Sequence, residues 1–246
     1  MNQTTPAMNA GLSYMMGFDM AYLDGQNIAV KTGQCRDSEN INDIYMPTTN
    51  LTLYTLKNGA WGIDTGSVLV DSVYYLYAIA DSYKKSPTAT IASLSAAQPL
   101  LPHQYDIWRR IGAFLTDGAG DIVSFYQCGG HNSTQRHMMF DDAIQILTNG
   151  QSATFASVSM AAFVPDIEFM AHLNVEIIPK NAGDRVHLKR GGSPSTDGVP
   201  QISGPVALVS SREYVYMPTY QNKIEYFIID PLGSVNIWLS GYLDSL

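Results

Sequence analysis

Charge is what this chain most lacks. Only 15% of its 246 residues are Asp, Glu, Lys or Arg, while 46% are hydrophobic; soluble domains usually carry roughly 25% charged residues. So little charge leaves a surface that must be hidden in part against copies of the chain or other partners. Basic charge is scarcer still. Fourteen Lys and Arg stand against 22 Asp and Glu, for a net charge of -8, which argues against nucleic acid or an anionic membrane as the main partner, since both need a basic field. Lys180, Arg185, Lys189 and Arg190 do lie close in sequence; a solvated loop flanking a strand accounts for them.

Long apolar runs are missing as well. None approaches the roughly 20 residues of a membrane span. The first residues, MNQTTPAMNAGLSYMMGFDM, combine neither a basic n-region nor a continuous apolar h-region, so the expectation is no membrane insertion and assembly in a cytoplasm. Two cysteines, Cys35 and Cys128, cannot make a disulfide framework, and both are expected to be reduced. The signatures of common chemistries are missing too: no G-x-S-x-G, no phosphate-binding G-x-x-x-x-G-K-[ST], no H-E-x-x-H and no calcium loop. No cofactor and no catalytic residue is expected.

What is present is period two. In VYYLYAIAD (73–81), Val73, Tyr75, Tyr77 and Ile79 alternate with Tyr74, Leu76, Ala78 and Ala80; both faces are apolar, so the strand should be covered on both sides. Segments 50–56, 152–163, 172–179, 204–211, 223–230 and 235–243 also read as strands, rich in β-branched and aromatic residues. Asp-Gly or Asn-Gly stands at 24–25, 58–59, 117–118, 149–150 and 197–198, where hairpin turns are expected; LTLYTL-KNG-AWGI and DAIQIL-TNG-QSATFASV are the clearest. Helix is confined to a turn or two near SLSAAQPLLPHQYDIW, limited by Pro99 and Pro102. Short strands with regular turns predict an all-β protein, an antiparallel β-sandwich or jelly-roll-like fold rich in hairpins. A soft boundary near Gln127 divides a hairpin-rich β domain, 25–126, from a β-sandwich domain, 127–246. Residues 1–24 hold five methionines and read as an N-terminal docking arm, with Met15, Met16, Phe18 and Met20 as the adaptable contact surface.

Three stretches could carry chemistry. The adjacent Arg109 and Arg110 point to opposite faces of a strand, so they cannot clamp one phosphate. One is expected to form a structural ion pair with a carboxylate such as Asp37 or Asp64. In GQCRDSENIND (33–43), Cys35 beside Arg36 could be an activated thiolate, but a buried thiol at a strand end is the simpler account. In QCGGHNSTQRH (127–137), His131 and His137 would need a third ligand to bind a metal. The carboxylate pairs Asp141–Asp142 and Asp64–Asp81 are the ones a glycosidase reading would use, although sequence spacing does not set their separation.

The succession GQCRDS (33–38), NGAWGIDTGSV (58–68), YYLYAIADS (74–82), LPHQYDIWRRIGAFLTDGAGDIVSFYQ (101–127), FDDAIQILTNG (140–150), FVPDIEFMAHLNVEIIP (163–179) and LSGYLDSL (239–246) resembles a type of virion structural protein of tailed bacteriophages. The resemblance covers nearly everything after residue 24. It implies a virion location and a fibre, spike or other appendage subunit, commonly a homotrimer of β-sandwich domains. Residues 1–24 would attach it to other virion proteins. It carries no active site over. Under it the arginine pair belongs to a hairpin: a strand through DIWRRIGAFL, a DGAG turn and a return through DIVSFYQ. A host surface glycan or protein is the expected external partner, with Tyr214, Tyr216 and Tyr220 as candidate glycan contacts beside Trp108 and Trp238. The alternatives are a capsid decoration, head fibre or tail adaptor without a host ligand, and a polysaccharide hydrolase.

Overall fold

The computed structural model describes residues 14–53, 58–128, 135–166, 169–194 and 201–246. Among them every regular element is a strand, and all strand–strand ladders are antiparallel. No helix among them is long and apolar enough to cross a membrane. The all-β, sandwich-like expectation holds. The short helix expected between Ser93 and Trp108 is instead a run of turns leading into a strand.

The first half builds three small sheets. β1 (Met15–Gly17), β4 (Gly33–Arg36) and β5 (Asp43–Met46) form one; β2 (Met20–Asp24), β3 (Asn27–Val30) and β6 (Thr49–Thr52) form the next. β7 (Val73–Ala80) lies between β8 (Ala89–Ser93) and β9 (Ile107–Leu115) in the third. The doubly apolar pattern of β7 is used on both sides. Tyr74, Leu76 and Ala78 enter the main core, while Tyr75, Tyr77 and Ile79 pack with Ile91, Tyr105 and Ala113 in a second, smaller cluster.

The second half is the sandwich. Its five-stranded sheet runs β10 (Phe125–Cys128), β11 (Gln135–Gly150), β18 (Ser234–Ser245), β13 (Met170–Ile178) and β16 (Ser211–Pro218). Its four-stranded sheet runs β12 (Ala156–Ser159), β17 (Lys223–Ile228), β14 (Arg185–Arg190) and β15 (Gln201–Ser203). Alternate residues meet between the sheets: Leu173, Val175, Val215, Ile237 and Leu239 from the first, Val186, Leu188, Ile224 and Ile228 from the second. The boundary drawn near Gln127 falls inside β10, and one core cluster runs from Met15 to Tyr242 across it.

Several expected pairings are replaced. The strand read at 204–211 is a loop. Pro205 has no N–H to give a ladder, Gly204 lies against the Pro179 ring, and Val209 N–H closes a turn onto the Val206 carbonyl at 3.3 Å. The strand begins at Ser211 instead. The 149–150 turn does not fold β11 onto β12: Asn149 takes a positive φ of 49°, but β11 pairs with β18 and β12 with β17. β6 likewise pairs with β3; Thr52 N–H reaches Trp61 O at 2.9 Å, and residues 54–57 of that expected hairpin lie outside the described residues. The arginine hairpin is half right. Asp117 caps the DGAG turn through Ala119 N–H at 2.8 Å and Asp121 N–H at 3.0 Å. The return strand then leaves β9 after a bridge at Thr116–Ile122 and pairs with β11 as β10.

Candidate functional site

The N-terminal methionines are structural from residue 15 on. β1 and β2 bury Met15, Phe18 and Met20 in the main core, and of the four proposed docking residues only Met16 projects outward. The buried guanidinium of Arg136 locks this segment down, donating to the carbonyls of Gly17 and Phe18 and lying 3.6 Å from Asp19. Gln127 Oε1 accepts from Met20 N–H at 2.6 Å. The docking-arm reading is therefore corrected for residues 14–24: Met15, Phe18 and Met20 turn inside, while Met16 and Leu23 stay exposed. Residues 1–13 lie outside the described residues.

The arginine pair does straddle two faces, and Arg110 takes a partner other than Asp37 or Asp64. Arg110 forms its ion pair with Asp244, at 2.8 Å, and also donates to the Ser245 carbonyl. Asp37 and Asp64 are engaged otherwise. Asp37 accepts from Ile41 N–H, Asn42 N–H and Asn42 Nδ2, and its carboxylate partly offsets the burial that lowers Arg109. Asp64 accepts from Leu100 N–H at 2.9 Å. Sequence distance hid the true partner: 134 residues separate Arg110 from Asp244. Asp244 is buried, and burial raises its carboxyl despite the adjacent guanidinium. Cys35 is a buried thiol pushed up to about 12, the opposite of an activated thiolate.

The candidate tyrosines separate into two places. Tyr220 sits in the β16–β17 turn beneath the Arg190 guanidinium. Tyr214 and Tyr216 lie on β16, an edge strand, whose Val215 and Met217 point into the core. Their rings therefore share the outer face, 73% and 63% exposed. Register places Tyr216 opposite His172, Tyr214 opposite Asn174 and Arg212 opposite Glu176 on β13. One strand further, Asn174 is opposite Trp238 and Glu176 opposite Asn236.

A polar and aromatic network follows across that face. Tyr216 meets His172 edge-on with ring centres 4.6 Å apart, and His137 is 5.2 Å beyond His172. Arg212 lies 4.4 Å over the Trp238 ring and 3.3 Å from Glu176, which also accepts from Asn236 Nδ2 at 2.9 Å. His172 and Asn174 are only 4% and 8% exposed, yet His172 Nε2 and Asn174 Oδ1 have no hydrogen-bond partner. Burial, reinforced by the neighbouring His137, lowers His172 to about 4, so it is neutral at pH 7. Sequence reasoning missed His172, Asn174 and Arg212. A single His or Asn in an alternating strand looks like any outward-facing residue until cross-strand register supplies its neighbours.

The opposite outer face, on the four-stranded sheet, is closed by its own stacking. His187 stacks on Phe227 at 4.4 Å, Phe227 meets Phe155 at 4.8 Å, and Lys189 bridges Phe155 and Glu225. The basic cluster is thereby divided: Lys189 is paired here, Arg190 covers Tyr220, and Arg185 reaches Gln201. A cleft of about 540 Å³ opens between the β4–β5 and β7–β8 loops, with Arg36, Asp43, Tyr45, Asp81 and Lys84 in its lining. Much of its polar lining is committed. Arg36 pairs with Asp43 at 3.2 Å, and Asp81 caps the loop through Tyr83, Lys85 and Ser86 N–H groups.

Of the remaining carboxylate candidates, Asp141 accepts from the Ser124 hydroxyl. Trp108 packs against the smaller cluster. Among the described residues no group of three His, Cys, Asp or Glu side chains is placed to hold a metal ion, and His131 lies outside them.

No protein-family model matches the chain, and no curated protein matches it. Among solved structures, a Bacillus thuringiensis Cry1Da tryptic core variant aligns over 94% of this chain and 50% of its own, at 10% identity and a TM-score of 0.18. This chain spans half the length of that protein, and a likeness so slight carries no argument.

Proposed function

We propose that this chain is a structural subunit of a tailed-bacteriophage virion, a fibre- or spike-like appendage that assembles as a homotrimer and contacts the host surface. The observation that carries the reading is an uncovered apolar end of the sandwich. Val206, Leu208, Val209, Ile229 and Leu232 are all exposed, Leu208 and Leu232 by 70% and 72%. Hydrogen bonds gather their loops together: Leu208 N–H to Pro179 O at 2.8 Å, Asn181 Nδ2 to Asp230 Oδ2 at 2.8 Å, and Ile229 N–H to Arg185 O at 3.0 Å. A lone soluble chain rarely leaves such a group of large apolar side chains in water. Closed symmetric association covers them, and the low charge of the whole chain points the same way. The order of sequence segments adds the virion context.

Light scattering on the native protein tests this. A single species at three times the 27.0 kDa chain mass is expected. A monodisperse monomer at micromolar concentration would sink the appendage reading, and a larger ring would move it to a collar or adaptor.

A further inference from the structure

We propose that the outer face of the five-stranded sheet around Tyr214 and Tyr216 is a binding site for an uncharged oligosaccharide; this names the ligand of the host contact in the appendage reading, on which it rests. The two tyrosines are two apart on one strand, so their side chains stand in a row roughly 6.6 Å apart along it. Both rings are largely exposed on an edge strand, which has β13 on one side and, among the described residues, no strand on the other. Flat aromatic rings that end in a hydroxyl suit the C–H faces and hydroxyl edges of successive sugar units.

The second observation is independent of the rings. Directly across the ladder from Tyr216 and Tyr214 lie His172 and Asn174, whose Nε2 and Oδ1 are buried and without partners. Buried polar atoms are almost always hydrogen-bonded, and an orphan needs an explanation. Here the two orphans are neighbours on one face, each opposite an exposed tyrosine that is not part of the core. An imidazole nitrogen and an amide oxygen are the neutral donors and acceptors that sugar hydroxyls match.

Charge on the face selects an uncharged ligand. Glu176 is held between Arg212 and Asn236, and Arg212 is spent on Glu176 and the Trp238 ring. No charge on these residues is left over to hold a phosphate, sulfate or uronate. The 540 Å³ cleft is the weaker site because its Arg36 and Asp81 already serve internal partners.

The test is retention of the full chain on an array of uncharged bacterial and plant oligosaccharides, with the strongest hit then titrated calorimetrically. Wild type should retain at least one, and the double substitution Tyr214→Ala with Tyr216→Ala should weaken it at least tenfold with melting temperature and assembly mass unchanged. No retention by wild type overturns the proposal, as does equal retention by the double variant. A change of assembly mass in that variant also overturns it, because the face would then be an interface between copies. Retention by a protein that light scattering shows to be monomeric would leave this site standing while the trimeric appendage reading fell.

Discussion

Arg110 and Asp244 show how much one buried contact can hold. Arg110 comes from the three-stranded sheet of the first half, and Asp244 from the last strand of the sandwich. Their 2.8 Å pair, with Arg136 contributing to the same field, ties the halves where both charges are shielded from water. Deleting one member strands the other, so Asp244→Ala should cost about 3–5 kcal/mol of stability. Replacing both charges, Arg110→Met with Asp244→Leu, should cost much less, because no lone charge remains. Urea unfolding of the three proteins measures it, and equal losses in single and double variants would refute the latch. His172 supplies a second expectation. Its folded pKa of about 4 lies below the ordinary 6.5, so the folded state resists protonation. Its contribution is complete above about pH 6.5 and is lost as pH falls toward 4. His172→Gln should flatten the stability-versus-pH curve across that window; an unchanged slope would show that other groups set it.

At the scale of elements, β18 organises the sandwich by pairing with both β11 and β13. Between Leu239 and Gly241 its register against β13 slips by one residue, a bulge that re-aims the strand end so that Tyr242 and Asp244 point inward. Gly241 is required there for lack of space. A Cβ would collide with the Met138 carbonyl and with Met139 Cα at 2.9 Å, both parts of a neighbouring strand that cannot yield. Gly241→Ala should therefore destabilise by about 1–3 kcal/mol, read as a lower unfolding midpoint; a neutral result would mean that β11 can shift. Strand existence was legible in β7, β13, β17 and β18 because alternation and β-branched content are local properties. Strand partnership was not. The Asn149–Gly150 turn looks like a hairpin from its residues alone, yet β12 finds β17 and β11 finds β18, since burial of long apolar faces outweighs the local turn preference.

At the scale of the whole molecule, the proposed trimer rests on the exposed apolar end. If Leu208 and Leu232 are covered on assembly, Leu208→Glu with Leu232→Glu places charges in a dry contact and should convert trimer to monomer without loss of strand content. Sedimentation and circular dichroism on the same sample check this, and a variant still trimeric would move the interface elsewhere. The division into arm, hairpin domain and sandwich is where the sequence reading departs furthest from the folded chain. Met15, Phe18 and Met20 looked like an adaptable arm because methionine-rich, weakly periodic segments carry no burial signal of their own. Their place in the core depends on Arg136 and Gln127, more than 100 residues away.

Sequence alone determined that this is an all-β protein with little charge, covered strands and surface to hide, because alternation, turn residues and composition act over a few neighbours. It also marked Tyr214 and Tyr216 as candidate contacts. Tertiary structure alone decided that Arg110 pairs with Asp244, that Met15, Phe18 and Met20 belong inside, and that His172 Nε2 and Asn174 Oδ1, both without hydrogen-bond partners, lie across the ladder from the two tyrosines. Those facts depend on cross-strand register and on contacts between distant segments, and they exist only once the sheets have formed.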